Sequence, residues 1–213
     1  MRRIALLLIA LVLCGCGARP TETIRTKGDL YFDHGDYSAA AREYGEITER
    51  YPGDWQAQYM LGRCKLKLNE PGEARAALEV AHTRRPGNSD IVDALAEAMY
   101  REGDKAQLFK FLKERADSEG TVRAWLRLGR YAAELGDPDS AATAFDTAIK
   151  VDGGHSTEPY LQAAAFSQQI GDIEGAVRRL RQAYTINPED QQVVQRLRDL
   201  GEVPGPTIAL PPT

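Results

Sequence analysis

Cysteines, histidines and grouped carboxylates are the side chains that could make this chain a catalyst or a metal carrier. Their spacing argues against both. The three cysteines fall at 14, 16 and 64, a spread that suits neither a disulfide framework nor a zinc site, each of which needs four or more well-spaced ligands. The three histidines, His34, His82 and His155, stand far apart at turn-like or helix-end positions. No His-Glu-x-x-His, Cys-x-x-Cys, Gly-x-Ser-x-Gly or P-loop pattern occurs. The stretch Asp137-Pro138-Asp139 lacks the glycine and the distal Glu of a calcium loop. The expectation is therefore a protein that is not an enzyme, with no catalytic residue, no metal and no cofactor, and with histidines that are plain surface groups. Charge narrows the partners further. The balance is 27 basic against 31 acidic residues, a net of −4, and no run of Lys or Arg exceeds two. A basic face for nucleic acid is not expected. With 43% apolar and 27% charged residues, the chain is neither collagen-like, nor a disordered acidic tail, nor a polytopic membrane protein.

Two of the cysteines belong to an element of their own. Arg2 and Arg3 precede ten uncharged apolar residues, 4–13. As a helix these would span about 15 Å, half of a bilayer core. A secretory signal peptide fits better than a transmembrane helix. The run Leu13-Cys14-Gly15-Cys16 resembles the lipobox of bacterial lipoproteins, which has a Leu, two small residues and an obligatory Cys. That resemblance implies cleavage after Gly15 and diacylation of Cys16, which becomes the mature N-terminus. Cys14 is the poorer candidate, because Leu13 before it is too bulky for the cleavage pocket. Two or more acyl chains anchor a protein stably where one does not. Loss of residues 1–15 leaves a net charge of −6, which would not adhere to anionic lipid unaided. Gly17 stands where an Asp would resemble an inner-membrane retention signal. The expected location is the bacterial cell envelope, facing the periplasm, with the outer membrane favoured over the inner.

The remainder carries a period. Gly28 and Gly62, Ala40 and Ala74, and Pro52 and Pro86 are each 34 residues apart, and Pro188 lies three such periods beyond Pro86. One block reads Trp125, Leu128-Gly129, Gly136, Ala141, Phe145 and Ala148. Another reads Tyr160, Gly171, Ala176, Leu180, Ala183 and Pro188. This pattern resembles the tetratricopeptide repeat (TPR), a pair of helices with Trp, Leu-Gly and Tyr on the first, Gly in the turn, Ala and an aromatic on the second, and a closing Pro. Five units follow, at about 21–54, 55–88, 89–121, 122–156 and 157–190. The resemblance implies an all-α fold, a right-handed α-solenoid of about five TPR helix-turn-helix repeats with a C-terminal capping helix.

Each position in the pattern has a physical reason. Gly62, Gly129 and Ala40 let the paired helices approach. Tyr44, Leu78, Phe145 and Leu180 fill the space between them. Gly35, Gly103, Gly136 and Gly171 stop the first helices, since glycine takes a left-handed cap at no steric cost. Asp36, Asp104, Asp137 and Asp172 follow as N-caps of the second helices, which Pro52, Pro86 and Pro188 then end. Cys64, inside such a helix, reads as a small core residue. The third block departs from the pattern: Leu108 and Arg115 replace small residues, and Gly120 replaces the Pro. Its helices should persist with altered packing.

Four segments are expected: a cleaved signal peptide over 1–15, a lipidated start and short linker over 16–21, the solenoid with its cap over 22–200, and a Pro-rich flexible tail over 201–213. Within 191–200, Val193, Val194, Leu197 and Leu200 form one apolar stripe against the last repeat. What remains for function is a surface. In TPR proteins the first helices line a groove that takes peptide segments. The resemblance maps that groove to Arg25, Asp29 and Phe32, then Tyr59, Arg63, Leu66 and Lys67. It continues with Asp93, Glu97, Tyr100 and Arg101, and ends with Arg123, Leu126 and Arg130. Arg25 and Asp29 stand where a carboxylate-clamping TPR would have Lys and Asn, so a chaperone-tail receptor is not expected. The expected function is a membrane-anchored periplasmic scaffold for a protein or peptide partner in envelope assembly or secretion. A pilotin-like lipoprotein, a barrel-assembly lipoprotein and a self-associating or cell-wall-binding structural protein are the alternatives.

Overall fold

A computed structural model describes residues 19–212. The apolar start, Cys14 and Cys16 lie outside the described residues. Among those described there are eleven α-helices, one short 3-10 turn and no strand: α1 (Thr21–Asp33), α2 (Tyr37–Arg50), α3 (Trp55–Lys67), α4 (Pro71–Arg84), α5 (Ser89–Glu102), α6 (Lys105–Glu119), α7 (Val122–Glu134), α8 (Pro138–Asp152), α9 (Glu158–Gln169), α10 (Ile173–Ile186) and α11 (Gln191–Asp199). The helices pair as the period requires, and they fall into two compact units, α1–α4 and α5–α11, divided between Gly87 and Asn88.

The punctuation marks act as the local chemistry dictates. Gly35, Gly103, Gly136 and Gly171 all take positive φ, between 78° and 89°. In the second repeat, Asn69 takes that role with φ 60°, consistent with the tolerance of Asn for this region. Each following Asp caps the next helix through its carboxylate. Asp36 accepts from the Ala39 amide at 2.9 Å, Asp104 from Gln107 at 3.2 Å, Asp137 from Ser140 at 3.0 Å and Asp172 from Gly175 at 2.9 Å. The first helices have caps of their own: Asp54, Asn88 and Thr121 in the second to fourth repeats, with Asp190 doing the same for α11. Tyr51, Arg85 and Asn187, each before a proline, leave helical geometry with ψ of 77°, 66° and 94°, as clash with the proline ring demands.

In the first unit, α1, α2 and α3 bury Ile24, Ala40, Tyr44, Ile47 and Cys64 in one cluster. A Cβ on Gly28 would sit 2.9 Å from the Tyr44 ring, and one on Gly62 only 2.5 Å from Leu78 Cγ. These glycines therefore set the distance between paired helices. Arg19 donates to Glu43 and Glu46 of α2, and Arg50 returns a bond to the Arg19 carbonyl at 2.8 Å, so the chain entering α1 is held to α2.

In the second unit, the cluster runs from Phe145 and Tyr160 through Leu180 to Val193 and Leu197 of α11. Val193 and Leu197 are buried, while Val194 and Leu200 are half-covered. The third repeat keeps both helices, but α5 and α6 pack far less extensively than the helix pair of any other repeat. Leu108 nonetheless is fully buried, and Gly120 ends α6 with φ 60°. The Pro-rich segment after α11, expected from its prolines to be flexible, is held against α10. Ile208 is only 9% exposed and belongs to the core cluster.

Candidate functional site

In the first unit, Arg25, Asp29, Phe32, Tyr59 and Arg63 of the mapped groove all have partners. Arg25 pairs with Asp54 at 2.7 Å, and Tyr44 donates to Asp29. Burial first, and then the Asp29 carboxylate, push the Tyr44 phenol well above its ordinary pKa. The Arg63 guanidinium lies over two rings, 4.5 Å from the centre of Phe32 and 5.5 Å from that of Tyr59. This cation–aromatic stack leaves flat aromatic edges beside a charge, a surface suited to a peptide. Lys67 is exposed beyond it, whereas Leu66 is buried and faces the core.

The second unit holds a hollow of about 550 Å³ lined by Asp93, Arg123, Leu126, Arg127, Arg130, Asp152, Glu158 and Gln162, among others. Its walls come from the first helices α5, α7 and α9 and from the turn between α8 and α9. Asp93 is the hub. It accepts from Arg127 Nε at 2.5 Å and from Arg123, which also pairs with Asp90 at 2.7 Å. Burial opposes ionisation of Asp93, but the Arg127 and Arg123 guanidinium groups outweigh it and hold the carboxyl below its ordinary range. Arg127 is the least exposed charge, with its side chain 2% accessible. It also donates to the Ser89 hydroxyl at 2.9 Å. A buried guanidinium is tolerable only with such partners.

Farther along, Tyr131 donates to Glu97 at 3.2 Å and packs on Tyr100 with ring centres 5.6 Å apart. Arg101 binds Glu97 at 2.6 Å, and Arg130 covers the Tyr131 ring at 4.8 Å. Leu126, placed in the groove by the resemblance, is 5% exposed and belongs mainly to the core. A second hollow of about 510 Å³ shares Glu158 and Gln162 and reaches Asp190 and Gln192.

Sequence reasoning did not single out Arg127, Asp152, Glu158 or Gln162. For three of them a signal existed. Arg123, Arg127 and Arg130 recur at helical spacing on one face. Glu158 and Gln162 lie 35 residues after Arg123 and Arg127, the spacing into the fifth repeat. Asp152 gave no such signal. It closes α8, with its carboxylate taking the His155 and Ser156 amides at 2.8 and 2.9 Å. Of the histidines, His34 and His155 are exposed, but His82 is half-buried. Among the described residues, no group of three or more His, Cys, Asp or Glu side chains is placed to hold a metal ion.

The tetratricopeptide repeat signature matches residues 25–89 and 110–167. The chain belongs to the tetratricopeptide repeat family. No curated protein sequence matches it. Solved TPR structures do. A thermophilic TPR protein of Thermus thermophilus is 21% identical with a TM-score of 0.57, over 85% of this chain and 98% of that one. MamA of Desulfovibrio magneticus RS-1 is 12% identical with a TM-score of 0.62, over 82% and 98%. YrrB, described as a TPR protein with an unusual peptide-binding site, is 19% identical with a TM-score of 0.55, over 84% and 92%. At these identities the likeness is one of fold. The fold expected from the repeats, an all-α stack of TPR helix pairs, is the one observed, and the family is one of protein-interaction scaffolds.

Proposed function

We propose that this TPR chain is a non-enzymatic scaffold that holds a protein partner at the bacterial cell envelope, tethered through acylated Cys16 and facing the periplasm from the outer membrane. The observation that carries the scaffold reading is the hollow on α5, α7 and α9. Arg123 and Arg127 are held by Asp90 and Asp93, and the buried Tyr131 beside them by Glu97, so these groups are in position before a ligand arrives and lose little ordering entropy on binding. YrrB, with its peptide-binding site, is a precedent for the use of such a fold.

The membrane part of the proposal rests on the lipobox-like sequence. Three residues lead from Cys16 to Arg19, a reach of about 10 Å when extended. An acylated Cys16 would thus keep the first repeat at the membrane surface. Assembly of outer-membrane barrels and pilotin-like assistance to secretins or pili are both compatible with that placement.

The test is co-purification from detergent-solubilised membranes of wild type and of the double variant Arg123→Glu, Arg130→Glu. One partner recovered with wild type and lost with the variant is expected, and its identity separates the two assembly roles. Equal recovery with both proteins, or with neither, contradicts the scaffold reading. For the anchor, Cys16→Ser should leave the membrane fraction; unchanged retention there contradicts it.

A further inference from the structure

The C-terminal segment occupies a seat on α10 built like a peptide-binding site, with Pro212 reaching Gly154 of the turn between α8 and α9. Three side chains on α10 donate to tail carbonyls. Arg181 Nε reaches Ile208 O at 2.7 Å, the Thr185 hydroxyl reaches Leu210 O at 2.6 Å, and Gln182 Nε2 reaches Pro211 O at 3.2 Å. The Leu210 amide answers by donating to the Arg181 carbonyl at 3.4 Å. Gln182 is 4% exposed, and its orientation is fixed from behind. Its Oε1 accepts from Arg179 at 3.1 Å, and Arg179 is itself paired with Asp146 of α8 at 2.5 Å. The Gln182 amide N–H thereby points at the tail rather than at its own helix.

The tail is read almost wholly through its main chain, with Ile208 as the apolar anchor. Beyond the 3-10 turn Pro206–Ile208, Ala209 has φ −58° and ψ 132°, close to polyproline II geometry. Proline lacks an N–H and is stiff, so such a segment offers carbonyl acceptors and loses little entropy on docking. In the link back to α11, Val203 points outward and is 81% exposed.

We propose that this face of α10 is a second peptide-binding site, occupied in cis by residues 206–212. In trans it takes a proline-flanked segment of a partner protein with a β-branched anchor at the end of a turn, the chemistry the tail itself displays. The tail then acts as a tethered competitor for that partner.

The test uses the full-length chain in detergent and a fluorescent peptide of residues 205–213. Ile208→Asp ejects the anchor and opens the seat, and Ile208→Ala weakens it. The peptide should bind Ile208→Asp at least tenfold more tightly than wild type, with Ile208→Ala between them. Adding Arg181→Ala and Thr185→Ala to the Ile208→Asp chain should reduce capture at least tenfold, and so should placing Asp at the anchor position of the peptide. Equal binding to wild type and Ile208→Asp, or none to either, overturns the proposal. So does a loss of helicity in both Ile208 variants, since the tail would then be a fixed part of the fold.

Discussion

Gly62 and Gly45 both sit inside helices, yet their surroundings assign them opposite roles. A methyl group on Gly62 would press into Leu78, whereas one on Gly45 would meet nothing within 4 Å. Gly62→Ala should cost about 1–3 kcal/mol through overpacking. Gly45→Ala should stabilise by about 0.5–1 kcal/mol through its lower backbone entropy and better helix propensity. Chemical denaturation of the two variants checks the opposite signs. Cys64 belongs to the core at the same scale: burial pushes its thiol up to about 12. Labelling at pH 8, mapped by peptide mass, should be about 1,000-fold slower at Cys64 in the native protein than in urea, as the fall in thiolate fraction requires. Asp93 supplies a pH signature. Its folded-state pKa lies below the ordinary 3.8 because its arginine partners outweigh burial. The stabilisation from its ion pairs is therefore complete above pH 3.8 and is lost as pH falls through the lower folded value. The stability gap between wild type and Asp93→Asn should be widest at neutral pH and close in that acidic window, as denaturation at stepped pH would show.

Among the elements, the caps are the joints that define each repeat. Asp172→Ala removes the carboxylate that accepts from the Gly175 amide and should cost about 1 kcal/mol, seen as a lower unfolding midpoint with the helical spectrum retained. The caps and turn glycines were legible in sequence because Gly-Asp dipeptides recur in phase and each residue acts on its own backbone. So were the buried Tyr44, Leu78, Phe145 and Leu180, whose spacing follows the period. The groove was harder to read. Leu66 and Leu126 occupy first-helix positions like their charged neighbours, but they turn inward where their own repeats need filling, which is a tertiary choice. Asp152 was missed because its role depends on the loop after α8 folding back onto it. The docking of Ile208 and Leu210 was hidden too. Prolines report only that a segment is not helical, and what holds the tail lies about 25 residues earlier, on α10.

For the molecule as a whole, the net charge is only −4, with basic and acidic residues interspersed, so no large single-sign field steers a partner. Selectivity must come from shaped local surfaces, and the central claim is that the first helices of the second unit present one. Site-specific photo-crosslinking in living cells tests this most directly, with a photoreactive residue at Arg130, beside the hollow, or at Thr143, exposed on α8. A discrete protein adduct at 130 that is absent at 143, and that is lost when Arg123→Glu is added, is the predicted result. No adduct at 130, or the same adducts at both positions, would contradict the account.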